Sequence, residues 1–204
     1  MNAAPGPASV RAPELWLLRH GATRWAREGR HTGRTDLPLL PEGEAEAHRL
    51  APVLAAQGFD AVLVSPRQRA RRTCELAGLG EQAELCDDLQ EWDYGEYEGI
   101  TTAEIRRTVP DWTVWTHPCP GGESAAEVGV RCERLIQRCL ARLGEERRLA
   151  LFAHGHILRS LAGCWLGLGV GGGALLVLGT GTISVLGQER QTRALLRWNG
   201  PVGG

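Results

Sequence analysis

The sequence predicts an α/β protein, a three-layer α/β/α sandwich around a mostly parallel central sheet, and three observations support this. Short apolar runs at Leu15–Leu18, Ala61–Val64 and Leu149–Ala153 have the composition of strands buried on both faces of a sheet. Each is followed by a stretch with helical spacing. Glycine-containing connections follow strands, and in such sheets ligands bind beyond the carboxyl ends of the strands.

Taken in order, the first run ends in Arg19-His20-Gly21. A helix is expected over Glu42 to Gln57, where Leu50, Val53 and Leu54 mark an apolar side and Pro52 should kink an interior turn. The second run leads into Ser65-Pro66 and a helix start carrying Arg67, Arg69, Arg71 and Arg72. The clearest helix is Glu123 to Leu143, with Val128, Cys132, Leu135, Ile136, Cys139, Leu140 and Leu143 at three- and four-residue steps. The third run ends in His154-Gly155, and the glycine run 169–173 reads as a flexible loop. Thr182–Leu186 and Arg193–Trp198 read as strands around a polar turn at Gly187–Thr192.

A chain of 204 residues, 43% hydrophobic, can bury one sizeable core, so a single domain is expected over 14–204. Residues 1–13 are small and proline-rich without an apolar h-region and are expected to form a disordered tail. Lys plus Arg (23) nearly balance Asp plus Glu (24), which leaves no global field to attract nucleic acid or an anionic membrane. Anion selectivity must then come from a local arginine cluster. No segment has the length of apolar residues a membrane span needs, and the cysteines have no CxxC spacing. A cytoplasmic protein with buried, reduced thiols is expected. The sequence carries no signal of oligomeric state.

Two histidine-glycine pairs, His20-Gly21 and His154-Gly155, stand at strand ends far apart in the chain. Either histidine alone is equally well explained as a polar residue emerging from the core. If the two strands are parallel neighbours, both imidazoles meet at one site. A neutral imidazole is a competent nucleophile toward phosphorus near pH 7, and Arg19 adds an always-charged planar fork for phosphoryl oxygens. Four arginines at a helix start are electrostatically misplaced unless an anion binds there, although singly they also fit a solvated basic face. Glu91, in an acidic aromatic loop with two glycines, is a candidate proton donor, although each of the four acids of the loop, Glu91 included, also fits ordinary surface charge. His154-Gly155-His156 lacks the partner ligands of a metal site. His31, His48 and His117 are most simply surface or loop residues.

Arg19-His20-Gly21-Ala22-Thr23-Arg24-Trp25 resembles the motif that opens the histidine phosphatase superfamily, the phosphoglycerate mutase-like fold. Further matches follow in that family's order: His31 to Leu39, Ser65-Pro66 through Arg69-Ala70 and Thr73, Glu91 to Gly99, and His154-Gly155. The resemblance implies His20 as the residue that becomes phosphohistidine, Arg19 and Arg69 as phosphate ligands, His154 as a further donor and Glu91 as the proton donor. It also implies Thr32 and Gly33 bordering the substrate, with Tyr94 and Arg34 as weaker contacts, and neither metal nor other cofactor. The partner would be a small phosphorylated substrate.

Two departures bear on activity. Ala26 stands where many family members, mutases especially, carry Asn, and residues 100 to 122 are short where mutases have a longer basic segment. Trp92 to Gly99 and Cys119 to Ser124 are similar to the sugar-phosphatase branch that includes sedoheptulose-bisphosphatase-like enzymes. The expectation is a metal-independent phosphomonoesterase acting on small phosphorylated metabolites. A cofactor-dependent phosphoglycerate-type mutase and a non-catalytic phosphoester-binding module are the alternatives. Trp112 and Trp115 are expected to form a lid packed on the core, and Arg24, Arg27, Arg30 and Arg34 either meet a second phosphate or are exposed charge.

Overall fold

The computed structural model describes residues 13–142 and 147–202. The expected tail, apart from Pro13, and Leu143 lie outside the described residues. Strands β1 (Glu14–Arg19), β2 (Ala61–Val64), β3 (Ala83–Leu85), β4 (Arg148–Ala153), β5 (Ile183–Glu189) and β6 (Thr192–Gly200) form one sheet in the order β3-β2-β4-β1-β5-β6. The first four run parallel, and β5 and β6 are antiparallel. All three apolar runs lie at the centre of this sheet. The edge strand β3, with Glu84 and Leu85 exposed, has no apolar run to announce it.

The helices are α1 (Arg24–Glu28), α2 (Pro41–Ala55), α3 (Gln68–Leu76), α4 (Thr102–Ile105), α5 (Ala125–Arg142) and α6 (Gly155–Trp165). Alternate residues of β1 point to opposite faces, as strand geometry requires. Leu15 and Leu17 pack with Val128, Leu135 and Cys139 of α5 and with Ile157 and Leu161 of α6. Trp16 and Leu18 pack with Leu50 and Leu54 of α2 and with Ala70 and Cys74 of α3. These two cores on either face make the three layers. Truncating one of the fully buried leucines to alanine should cost about 2–5 kcal/mol.

Helix α2 continues through Pro52. Proline removes the donor for the carbonyl four residues back, but both Pro52 and His48 are exposed, so water can supply the missing bond. Pro41 at the helix start, with Glu42 and Glu44 in the first turn, favours its N-terminus. The glycine run is not a loose loop: residues 170–175 form a 3₁₀ turn with Gly172 and Gly173 buried. A Cβ on Gly173 would stand 2.7 Å from the Trp115 ring, so the close approach requires glycine. All six cysteines are buried free thiols. Among the described residues no helix is long and apolar enough to cross a membrane.

Candidate active site

β1 and β4 are parallel neighbours in a register that sets Arg19 opposite Ala153, so the residues that follow them emerge together. His20 N–H donates to the Ala153 carbonyl at 3.0 Å, and the His20 and His154 rings stand edge-on with centroids 5.1 Å apart. His20 is only 5% exposed, more enclosed than an imidazole at an open strand end. Its Nδ1 lies 2.8 Å from the Gly21 carbonyl oxygen. A carbonyl only accepts, so Nδ1 carries the proton and Nε2 keeps its lone pair. Burial, reinforced by the Arg69 and Arg19 charges, holds the His20 pKa well below the usual imidazole value. The ring is therefore neutral and oriented, with its Nε2 lone pair available.

Arg19 spends one terminal nitrogen on the Leu178 carbonyl, while its Nε is buried with no hydrogen-bond partner. A buried unpaired donor is costly, and an anionic ligand oxygen would satisfy it. Glu91 is gripped by backbone: Oε1 accepts from Trp92 N–H (3.0 Å) and Ile157 N–H (2.8 Å), and Oε2 from His156 N–H (3.0 Å). Two of these donors belong to the first turn of α6, whose N-terminal N–H groups need acceptors. The acid loop is braced from behind by Arg131, which donates to the Asp88 and Gln90 carbonyls and pairs with Glu123 at 2.8 Å. Arg19, His20, Thr32, Glu91 and Tyr94 all face one cleft of about 240 Å³.

Arg69 and His154 stand directly behind this cleft, both fully buried. Arg69 Nε donates to His154 Nδ1 at 3.1 Å, Nη1 to the Thr35 carbonyl at 2.9 Å, and Nη2 to the Thr32 and Gly33 carbonyls at 2.9 and 3.2 Å. Because Nδ1 accepts, His154 Nε2 bears the proton and donates to Ser65 Oγ at 2.7 Å. Each Arg69 side-chain nitrogen and both His154 ring nitrogens have a protein partner, and neither residue is among those lining the cleft. Gly33 is also displaced from the cleft, buried with its N–H on Glu98 (2.9 Å). Arg34 turns outward to Asp93 at 2.6 Å with its side chain 75% exposed.

A model of the histidine phosphatase superfamily (branch 1) matches residues 15–201. The chain belongs to this superfamily. It is 40% identical over 188 residues to an acid phosphatase of Mycobacterium tuberculosis, covering 91% of this chain and 92% of that one. Against a sedoheptulose 1,7-bisphosphatase of Saccharomyces cerevisiae it is 36% identical over 187 residues, 78% of this chain and 69% of that one. The solved structure of an open reading frame product of Mycobacterium tuberculosis superposes with a TM-score of 0.90 at 37% identity, covering 95% of this chain and 100% of that one.

This histidine phosphatase also puts into the cleft residues that sequence reasoning passed over. His31, expected at the surface, is buried between Tyr94 and Trp112, with ring centroids 4.7 and 5.2 Å away, and burial pushes its pKa down to about 4. His156 takes a bond from or gives one to the Tyr94 hydroxyl through Nδ1 at 2.6 Å. Burial, then the Arg159 charge, likewise keep it neutral. Among the described residues no three His, Cys, Asp or Glu side chains are grouped to hold a metal ion. Arg159 lines the cleft, as do Ala26 and Arg30. Arg24 and Arg27 are exposed and pair with Glu28 and Glu42. Only helical spacing, with Arg159 one turn beyond Gly155, could have marked that arginine in advance.

Proposed function

We propose that this chain is a phosphomonoesterase that hydrolyses small phosphorylated metabolites through a phosphohistidine on His20. The observation that carries this reading is the His20 ring itself: neutral, with Nδ1–H held by the Gly21 carbonyl and Nε2 without a partner among the described residues, in a cleft that Arg19 also lines. Membership of the histidine phosphatases and the likeness to an acid phosphatase and a bisphosphatase support it.

In the first displacement Nε2 of His20 bonds to phosphorus as the ester oxygen leaves, and Glu91 supplies the proton that oxygen needs. Glu91 Oε2, which accepts one backbone N–H where Oε1 accepts two, is the oxygen placed to carry that proton. In the second displacement water attacks phosphorus in line, gives its proton to Glu91, and the P–N bond breaks. The imidazole is positive while phosphorylated, and the Gly21 carbonyl facing Nδ1–H stabilises it. Arg19 Nε–H binds an equatorial oxygen and Arg69 adds charge from behind, work done elsewhere by a divalent cation. Thr32 and Tyr94 border the leaving group.

Phosphate release from sugar phosphates, phosphoglycerates and p-nitrophenyl phosphate, with EDTA present, tests the reading. Wild type should release phosphate and His20→Ala, checked for folding by circular dichroism, should lose about 10⁴-fold or more. Metal-dependent release, or a folded His20→Ala of full activity, would remove the mechanism. Interconversion of phosphoglycerates after bisphosphate priming, without net release, would identify a mutase.

A further inference from the structure

Glu46 stands on α2, one turn beyond Gly43, where the helix meets the loop after β1. The contact is close: a Cβ on Gly43 would stand 2.6 Å from the Ala22 nitrogen. Oε2 of Glu46 accepts from the Ala22 N–H at 2.8 Å, and Oε1 accepts from Thr180 Oγ1 at 3.2 Å. Gly181, in the left-handed region at φ +59°, lies against the same side chain, and a Cβ there would stand 2.6 Å from that of Glu46. This glycine also donates to the Arg19 and His20 carbonyls, both at 3.2 Å. The carboxylate is thus held by two segments that themselves hold His20.

The Ala22 N–H belongs to the same peptide group as the Gly21 carbonyl, which accepts from His20 Nδ1–H at 2.8 Å. A trans peptide points its N–H and C=O in opposite directions. One peptide therefore has the imidazole donor on one side and a carboxylate on the other. The preceding peptide is pinned as well, since Gly21 N–H donates to Thr73 Oγ1 at 3.0 Å. Hydrogen bonds in series polarise one another. A negative charge against Ala22 N–H pushes electron density onto the Gly21 oxygen, which strengthens its hold on Nδ1–H and enriches the lone pair at Nε2. When the ring is positive, as in a phosphohistidine, the same charge stabilises it.

We propose that Glu46 is a positioning residue for His20: through the Gly21–Ala22 peptide its carboxylate orients the imidazole and makes Nε2 a stronger nucleophile toward phosphorus. The inference rests on the phosphohistidine reading for the reaction it serves, and its test separates the two. No proton crosses the peptide. Nδ1–H stays on the ring while Nε2 forms the P–N bond and the ester oxygen leaves with its bonding pair and the Glu91 proton. Loss of the Glu46 charge should slow formation of the P–N bond but not its breakage, because a less basic imidazole is a poorer nucleophile and a better leaving group.

Glu46→Gln keeps an oxygen for the Ala22 N–H and removes the charge, whereas Glu46→Ala removes both. Single-turnover release of p-nitrophenol from p-nitrophenyl phosphate, with enzyme in excess, reads formation of the P–N bond, and decay of the radiolabelled phosphoenzyme reads its breakage. Glu46→Gln should slow the first step by about three- to tenfold, with the half-saturating concentration and the melting temperature unchanged. The second step should be unchanged or faster. Glu46→Ala should slow the first step further and melt lower. Equal slowing of both steps, no slowing in Glu46→Gln, or a change confined to the half-saturating concentration, as an effect through space on the Arg19 charge would give, overturns the proposal. A readout without turnover is the His20 Nδ1–H proton resonance in protein carrying nitrogen-labelled histidine, identified by its loss in His20→Ala. A weaker bond to the Gly21 carbonyl moves it upfield. That move in Glu46→Gln upholds the relay even if wild type forms no phosphohistidine, and an unmoved resonance overturns the relay even if phosphate is released.

Discussion

Arg69 Nε donates to His154 Nδ1 at 3.1 Å, and through this bond one guanidinium joins the start of α3, the end of β4 and the 32–35 loop. The bond fixes the His154 tautomer and thus its donation to Ser65. Arg69 also lowers the pKa of His20, second only to burial. A residue implied as a phosphate ligand thereby organises the site from beneath.

Replacing Arg69 should be expensive even in the absence of substrate. Arg69→Met leaves the Thr32, Gly33 and Thr35 carbonyls and His154 Nδ1 short of donors, a loss of about 3 kcal/mol or more. Arg69→Lys should recover little, because an ammonium cannot reach four acceptors arranged for a fork. Urea denaturation checks both, and a lysine variant with the wild-type midpoint would show that the fork is dispensable.

The buried imidazoles set opposite expectations for activity and stability in mild acid. In the unfolded chain each histidine takes up a proton as pH falls through about 6.5, whereas in the native protein His20, His154 and His156 stay neutral well below that and His31 down to about 4. The unfolded state then binds more protons. Stability should fall on acidification below about pH 6.5, by up to about 1.4 kcal/mol per pH unit for each histidine, until the native values are reached. Initial rates at saturating p-nitrophenyl phosphate should meanwhile show no loss near pH 6.5 from protonation of His20. Thermal midpoints and rates over pH 5–8 decide this, and an activity limb at 6.5 in folded protein would contradict a neutral buried nucleophile.

For Glu91→Gln, turnover of sugar phosphates should drop about 10²–10³-fold, while p-nitrophenyl phosphate, whose leaving group needs no proton, should lose less than about tenfold. Glutamine keeps one acceptor oxygen, so one side of the grip on Trp92, His156 and Ile157 is lost at a cost of about 1–2 kcal/mol. Equal losses on both esters would argue against proton donation.

Gly21→Ala places a Cβ 2.1 Å from the Gly43 carbonyl oxygen, and Gly43→Ala places one 2.2 Å from that of Ala22. Both atoms are backbone and cannot step aside, so each substitution should cost about 3 kcal/mol or more and disorder the loop that follows β1. Gly29→Ala meets open space and should cost about 1 kcal/mol, from its φ of +70° alone. Melting temperatures of the three variants give the comparison.

The central strands and the meeting of His20 with His154 were legible because doubly buried strands leave unbroken apolar runs and parallel neighbours align their ends. β3 was not, since an exposed three-residue edge carries no such pattern. Local motifs located Glu91 but not Arg131, whose brace on the acid loop crosses from α5. The glycine run suggested freedom of movement, whereas it serves close packing against Trp115, a distinction that depends on what lies opposite. His31 and Arg159 were missed for the same reason: their surroundings come from distant segments.

Among the described residues the sheet neighbours of β1 are β4 and β5, both contributed by residues from 148 onward. During synthesis from the N-terminus, the apolar segment Leu15–Leu18 must therefore wait without a sheet neighbour until most of the chain has been made. His20, at the end of β1, is among the first parts translated and among the last secured. Catalytic activity should then emerge late and abruptly in refolding, a signal of finished assembly that no nascent chain lacking β4 can give.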